Sequence, residues 1–112
     1  MKTGAAGENL AVKYLENRGY ITLERNYRFH HKEVDIICEK KGVIVFVEVK
    51  SNINNDFGEP IEKVDRNKAS NIIDVAQAYL LKRKLFGKCN VRFDVIGVKN
   101  EKIQHIEDAF RE

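Results

Sequence analysis

The sequence predicts an α/β domain in which a mixed central sheet is flanked by helices, in the order α-β-β-β-α-β-(β). Two segments carry apolar residues at helical spacing, and the segments around them are short and rich in β-branched and aromatic residues. One of these, "VIVFVEVK" at 43–50, is apolar on both faces, which is typical of a central strand covered on both sides. At 112 residues the chain is expected to form a single domain over 1–112.

The composition, 43% hydrophobic and 33% charged, is typical of a soluble globular protein, and no apolar run approaches the ~18 residues that cross a bilayer. The N-terminal segment lacks the apolar stretch of a secretory signal, so we expect a cytoplasmic protein without membrane association. Cys38 and Cys89 are too few and too far apart for a disulfide framework or a zinc site, and we expect reduced thiols. The net charge of +3 permits a nucleic-acid partner without requiring one.

The chain is predicted to open with a helix over about residues 4–18, with Thr3 as its N-cap and Gly19 as the left-handed residue that ends it. Next, "YITLERNYRF" at 20–29 predicts a strand, which the turn-like "HHK" follows. The helix is identified by apolar residues at helical spacing, namely Ala6, Leu10, Ala11, Tyr14 and Leu15.

The next two strands are predicted at 33–39, "EVDIICE", and at 43–50, joined as a hairpin by "KKG". The segment "SNINNDFGEP" at 51–60 contains the only proline among clustered Asn, Asp and Gly residues, and it predicts a loop. A loop of this length in a compact domain is typical of a functional or mobile segment.

A second helix is predicted over about residues 64–86, with Gly87 placed to end it. The segments "NVRFDVIGV" at 90–98 and "KIQHIED" at 102–108 then predict two strands, or one strand and a fraying end, turned by "KNE". The helix is identified by apolar residues in helical phase, namely Ile72, Ile73, Ala76, Tyr79 and Leu80.

Two charges, Glu48 and Lys50, end the apolar run of the central strand. They extend the face that carries Ile44 and Phe46, and burying either charge without a partner would cost several kcal/mol, roughly. The preceding strand contains another acid, Asp35, in an apolar setting. These charges therefore need partners or a function.

The hairpin turn decides whether the two acids meet. A two-residue tip at Lys41 and Gly42 would place Asp35 directly opposite Glu48, with Cβ atoms about 5 Å apart, whereas a tip at Lys40 and Lys41 would place it diagonally. A three-residue tip would put the acids on opposite faces. The sequence leaves all three registers open.

Neighbouring carboxylates repel each other unless one is protonated or a cation lies between them. Mg²⁺ takes oxygen ligands and keeps several waters, so Asp35, Glu48 and the backbone carbonyl of Val49 would suffice to bind it. Lys50 could orient or deprotonate the attacking water, or neutralise charge that develops on a phosphate.

Other interpretations stand beside this one. Glu39 and Lys41 repeat the Glu-x-Lys spacing at a turn, so the spacing alone carries little information. The acids and Lys50 could instead form a buried ionic network in a protein-interaction module. A third alternative is an adaptor that binds nucleic acid without cleaving it, with salt-dependent and metal-independent binding.

The spacing of Asp35 and Glu48-Val49-Lys50 resembles the D…(D/E)-x-K signature of restriction-endonuclease-like nucleases, whose core runs α-β-β-β-α-β. More closely, an ordered set of motifs over nearly the whole chain resembles the bacterial YraN-like family, which is related in fold to archaeal Holliday junction resolvases. These motifs are "GE" at 7–8, "EVDII" at 33–37, "VFVEVK" at 45–50, "FG" at 57–58, "RFDVI" at 92–96 and "HIEDAF" at 105–110.

The resemblance implies a restriction-endonuclease-like domain with a metal-dependent phosphodiesterase site. It implies that Asp35 and Glu48 hold Mg²⁺ or Mn²⁺ and that Lys50 assists the water. Glu8 matches an acid that the similar resolvases use on their first helix, although a solvated Glu that complements the helix dipole fits as well. DNA, branched or otherwise structured, is the implied substrate, and a homodimer would suit branched DNA.

Cations at the start of the second helix are the candidate nucleic-acid ligands. Lys63, Arg66 and Lys68 oppose the helix dipole there, and a phosphate at the helix N-terminus would favour them. Lys68 also matches a lysine of the similar family. His30 and His31 are expected to form an exposed turn, and the pair of Arg92 and Asp94 is expected to be structural rather than part of the site.

Overall fold

The computed structural model describes residues 3–51 and 65–111. Its two helices and five strands follow in the order α-β-β-β-α-β-β, so the mixed α/β architecture is confirmed and the final segment is a strand. The predicted loop from residue 52 onwards, Lys63, and the capping side chain of Thr3 lie outside the described part of the chain. The elements are α1 (Thr3–Asn17), β1 (Ile21–Phe29), β2 (Lys32–Lys40), β3 (Val43–Ser51), α2 (Arg66–Lys82), β4 (Asn90–Lys99) and β5 (Lys102–Ile106).

The five strands form one sheet in the order β1-β2-β3-β4-β5. The β3 and β4 strands are parallel, and the other neighbouring pairs are antiparallel, which makes the sheet mixed. β3 lies at the centre of the sheet, as its two apolar faces predict.

The two faces of the sheet build separate cores. On one face, Val45 and Val47 of β3 pack in a cluster with Leu15 of α1. On the other face, Ile44 and Phe46 pack in a cluster with residues of α2. Because Glu48 continues the alternation of Ile44 and Phe46, its side chain lies on the α2 side of the sheet.

Both helices end where a residue adopts the left-handed conformation. Gly19 (φ 90°) ends α1, and the amide of Tyr20 donates to the carbonyl of Leu15, as expected of a Schellman motif. The second helix ends earlier than predicted, because Lys84 (φ 59°) adopts this conformation and the amide of Leu85 donates to the carbonyl of Leu80. The predicted end near Gly87 was therefore wrong by about one turn.

The hairpin between β2 and β3 has the two-residue tip that aligns the acids. Lys40 pairs with Val43, and the tip residues Lys41 (φ 51°) and Gly42 (φ 80°) both have positive φ, which defines a type I′ turn. Of the three registers that the sequence permits, the structure has the one that places Asp35 opposite Glu48.

Within residues 3–51 and 65–111, no helix is long and apolar enough to cross a membrane. Cys38 is buried, Cys89 is half-buried, and neither forms a disulfide.

Candidate functional site

Asp35 and Glu48 meet where β2 and β3 begin to separate. The backbone pairing runs from Lys40 and Val43 to Ile36 and Val47, and the next position along this register holds the two acids. Here the amide of Val49 donates to Oδ2 of Asp35 at 2.8 Å. The Asp35 side chain is thus held against the end of β3, and the Glu48 residue beside it is only 5% exposed.

The surroundings of Asp35 raise the pKa of its carboxyl group. Burial, followed by the negative charge of Glu48, raises the pKa of Asp35 to about 7, although the hydrogen bond from Val49 acts in the opposite direction. A hydrogen bond to Glu48 raises this pKa further. Near neutral pH, Asp35 is thus protonated in part of the molecules and can donate to the Glu48 carboxylate.

Lys68 provides the positive charge that Glu48 needs. Its Nζ lies 2.8 Å from Oε2 of Glu48, and this hydrogen bond raises the pKa of Lys68 above its usual value although burial lowers it. Asp65 caps α2, and its Oδ1 accepts a hydrogen bond from the backbone amide of Lys68 at 2.9 Å. This bond fixes the first turn of the helix beside the acids. The sequence predicted Lys68 as a phosphate ligand but not its contact with Glu48.

A groove between the end of β3 and the start of α2 contains these groups, and we call it the acid cleft. It consists of two adjacent pockets, which we call its first and second openings, and Glu48 and Lys68 line both of them. The described lining of the first opening includes Val49, Lys50, Ser51 and Asp65. That of the second includes His31, Lys32, Glu33, Asp35, Asn71 and Ile72.

Glu8 approaches the cleft from α1. Its side chain is 15% exposed, and its charge also raises the pKa of Asp35, which places it within electrostatic reach. Oε1 of Glu8 lies 3.8 Å from the guanidinium of Arg25. The neighbouring Gly7 allows α1 to come this close, because a Cβ at Gly7 would lie 2.5 Å from the Cβ of Ser51.

The other predicted nucleic-acid ligands are less closely placed. Arg66 is the first residue of α2 and is exposed, and Lys63 lies outside the described residues. His31 belongs to the exposed turn between β1 and β2, as expected, yet it also lines the second opening of the acid cleft. No pattern in the sequence predicts that His31 lies beside the acid cleft.

The donor set of the cleft fits a hard divalent cation bound through two acids. Among residues 3–51 and 65–111, no group of three or more His, Cys, Asp or Glu side chains is arranged to hold a metal ion. Mg²⁺ usually binds through one or two carboxylates and keeps its waters, and the crowded pair of Asp35 and Glu48 meets this requirement. Glu8 lies beyond this pair, and its role as a ligand stays a prediction.

Arg92 and Asp94 lie on the opposite side of the sheet. Asp94 is fully buried, and burial raises its pKa, but hydrogen bonds from His105, Arg92 and the amide of Asp108 outweigh burial and lower it. The hydroxyl of Tyr14 on α1 is 3.1 Å from the His105 ring. This network ties β4, β5 and α1 together, so the pair is structural, as the sequence predicts.

Comparisons with known proteins identify close relatives. The model of the family described as "Uncharacterised protein family UPF0102" matches residues 7–98. A UPF0102 protein of Persephonella marina is 50% identical over 96% of this chain and 91% of its own length, and one of Clostridium beijerinckii is 46% identical over 96% and 92%. A solved structure titled as Pyrococcus furiosus SfsA in complex with Ca²⁺ matches with a TM-score of 0.40 and 18% identity, over 98% of this chain and 64% of that chain.

Proposed function

This chain belongs to the UPF0102 family, and we propose that it is a divalent-metal-dependent endonuclease that hydrolyses phosphodiester bonds of DNA. The observation that carries the proposal is the pair of Asp35 and Glu48, which the hairpin register places side by side at the mouth of a cleft. Burial and the charge of Glu48 raise the pKa of Asp35 to about 7, so the fold keeps two carboxyl groups where they repel each other. Such crowding is typical of functional sites.

In the proposed site, Asp35 and Glu48 hold Mg²⁺ or Mn²⁺, together with the backbone carbonyl of Val49. When bound, the ion would supply a Lewis acid for a phosphate oxygen and would lower the pKa of water. Asp35 is well suited to this role because its Oδ2 is already fixed by the amide of Val49. Its carboxyl group is therefore oriented before any ligand arrives.

Lys50 lies on the same strand and lines the first opening of the cleft. Its ammonium group would orient the attacking water or neutralise the charge that develops on the phosphate. Glu8 is held near the site by the close approach of Gly7 to Ser51. It would provide a further carboxylate ligand for the metal from α1. Arg66, Lys63 and Lys68 would bind phosphates that flank the bond being cut.

The proposed substrate is DNA, branched or otherwise structured, and a homodimer would allow two cuts in one branched molecule. The test is an assay of the purified protein on single-stranded, duplex, flap and four-way DNA with Mg²⁺, Mn²⁺ or EDTA. We expect metal-dependent cleavage that falls at least about 100-fold in Glu48→Gln and in Lys50→Met.

The second Glu-x-Lys pair of the chain offers a matched control. Glu39→Gln and Lys41→Met remove the same charges at the same spacing, but at the hairpin tip rather than in the cleft. These variants should cleave like the unmodified protein. If Glu48→Gln and Lys50→Met retain full cleavage, the assignment of the site is wrong.

A second candidate is an adaptor that binds nucleic acid without cleaving it. The contact between Lys68 and Glu48 favours it, because a lysine already neutralises the acid without a metal. An adaptor should bind DNA with an affinity that falls steeply with salt and does not respond to Mg²⁺, and it should yield no cleavage products.

A further inference from the structure

The ion pair of Lys68 and Glu48 divides the acid cleft. Both residues line both openings, so the Lys68 side chain crosses the groove from α2 to β3. Asp35 lines one opening, and Lys50 lines the other. The ion pair therefore separates two groups that the proposed reaction uses together.

The two side chains of this ion pair differ in how far they can move. The Glu48 side chain is 6% exposed and belongs to a central strand, so its carboxylate has little room to move. The Lys68 side chain is 55% exposed and extends from the first turn of a helix. Its ammonium group can move to water at little cost, whereas Glu48 would then need another cation.

A divalent cation on Glu48 would compete with Lys68. Oε2 of Glu48 already accepts the Lys68 ammonium at 2.8 Å, and a metal ligated by the same carboxylate would lie within a few ångströms of that positive charge. The two cations would repel each other at this distance. Lys68 is thus expected to leave when the metal binds.

We propose that Lys68 is a phosphate ligand that neutralises Glu48 until a divalent cation takes this carboxylate, and that Lys68 then binds a phosphate of the nucleic acid. The inference rests on the proposed function and specifies how that site is regulated. Release of the Lys68 side chain from Glu48 would join the two openings, so that Asp35 and Lys50 face one continuous groove. Metal and nucleic acid would then bind cooperatively, each strengthening the other by the same factor.

The test measures Mn²⁺ binding to the full chain without nucleic acid, by electron paramagnetic resonance of the free ion and by calorimetry. We expect Lys68→Gln to bind Mn²⁺ about five- to tenfold more tightly than the unmodified protein, because the competing cation is gone. Lys68→Arg keeps the positive charge and should keep the original affinity. Arg66→Gln removes a cation from the same helical turn and should change the affinity less than about twofold.

The second arm adds a deoxynucleoside bisphosphate, which has phosphates but no internucleotide bond to cleave. In the unmodified protein this ligand should tighten Mn²⁺ binding about fivefold or more, and in Lys68→Gln the effect should fall towards none. The inference is overturned if Lys68→Gln binds Mn²⁺ no more tightly than the unmodified protein, or if Arg66→Gln gains as much.

The outcomes separate this inference from the proposed function. Metal-dependent DNA cleavage with no gain in Mn²⁺ affinity in Lys68→Gln overturns the inference alone. The expected Mn²⁺ behaviour without cleavage of any DNA supports the inference and overturns the nuclease. If the unmodified protein binds no Mn²⁺, both are overturned.

Discussion

Replacing Asp35 with asparagine should stabilise the protein at alkaline pH and leave its stability almost unchanged near pH 4.5. The folded-state pKa of Asp35 is about 7, whereas an unperturbed aspartate has a pKa of about 3.9. Between these two values the folded chain binds more protons at this position than the unfolded chain. The free energy of unfolding therefore falls as the pH rises through this window, and the loss is complete above about pH 7.

The magnitude follows from the distance between the two pKa values. A difference of about three pH units corresponds to about 4 kcal/mol at most, and solvent at the half-buried site reduces this to about 1–3 kcal/mol. Asparagine cannot ionise, yet its amide oxygen can still accept the Val49 amide and its NH₂ group can donate to Glu48. It therefore imitates the protonated acid, and Asp35→Asn should gain about 1–3 kcal/mol at pH 8.5.

The assay is urea denaturation at pH 4.5, 6, 7 and 8.5, with and without Mg²⁺. Glu39→Gln is the matched control, since Glu39 lies on the same strand but near the hairpin turn, where it pairs with Ile44, away from the acid cleft. Mg²⁺ should stabilise the unmodified protein most at pH 8.5. A gain that is equal at pH 4.5 and 8.5 would refute the reasoning, and a loss of about 3 kcal/mol at all pH values would favour a buried ionic network instead.

Three further substitutions test the fold around the site. Gly7→Ala should cost about 1–3 kcal/mol of unfolding free energy by collision with Ser51, and Ser51→Gly in the same chain should recover most of it, as a double-mutant cycle would measure. Asp94→Asn should lower the free energy of unfolding by about 3 kcal/mol in chemical denaturation, while Mn²⁺ affinity at the acid cleft stays unchanged. Lys41→Asn, before Gly42 in the type I′ turn, should raise the free energy of unfolding by about 0.5 kcal/mol, and a slightly higher melting temperature would show it.

The order of the elements was predictable because apolar periodicity reports it directly. The continuous apolar run of β3 predicts a strand covered on both faces, and the helical spacing of Leu10 and Tyr14 predicts a helix. The hairpin register was not predictable, because "KKG" accommodates three tips and the choice depends on the backbone conformation of Lys41 and Gly42. The end of α2 was missed because Lys84, rather than a glycine, adopts the left-handed conformation.

The contact between Lys68 and Glu48 could not be read from the sequence. It joins residues on different elements, and their approach depends on how α2 packs on the sheet rather than on any local pattern. The available signal was indirect: cations at a helix N-terminus oppose the helix dipole, so their presence calls for a neighbouring anion. A phosphate was the predicted anion, and the structure places the Glu48 carboxylate there.

The separation of two strands explains why charges end an apolar run. β3 stays paired with β4 as far as Ser51, but its backbone pairing with β2 extends only as far as Val47. Beyond that point the amide of Val49 is satisfied by the Asp35 side chain, and this puts a carboxyl group at the edge of the resulting gap. An apolar residue at position 35 would leave that amide without its acceptor, so the same acid both closes the end of the hairpin and creates the charge that the acid cleft must neutralise.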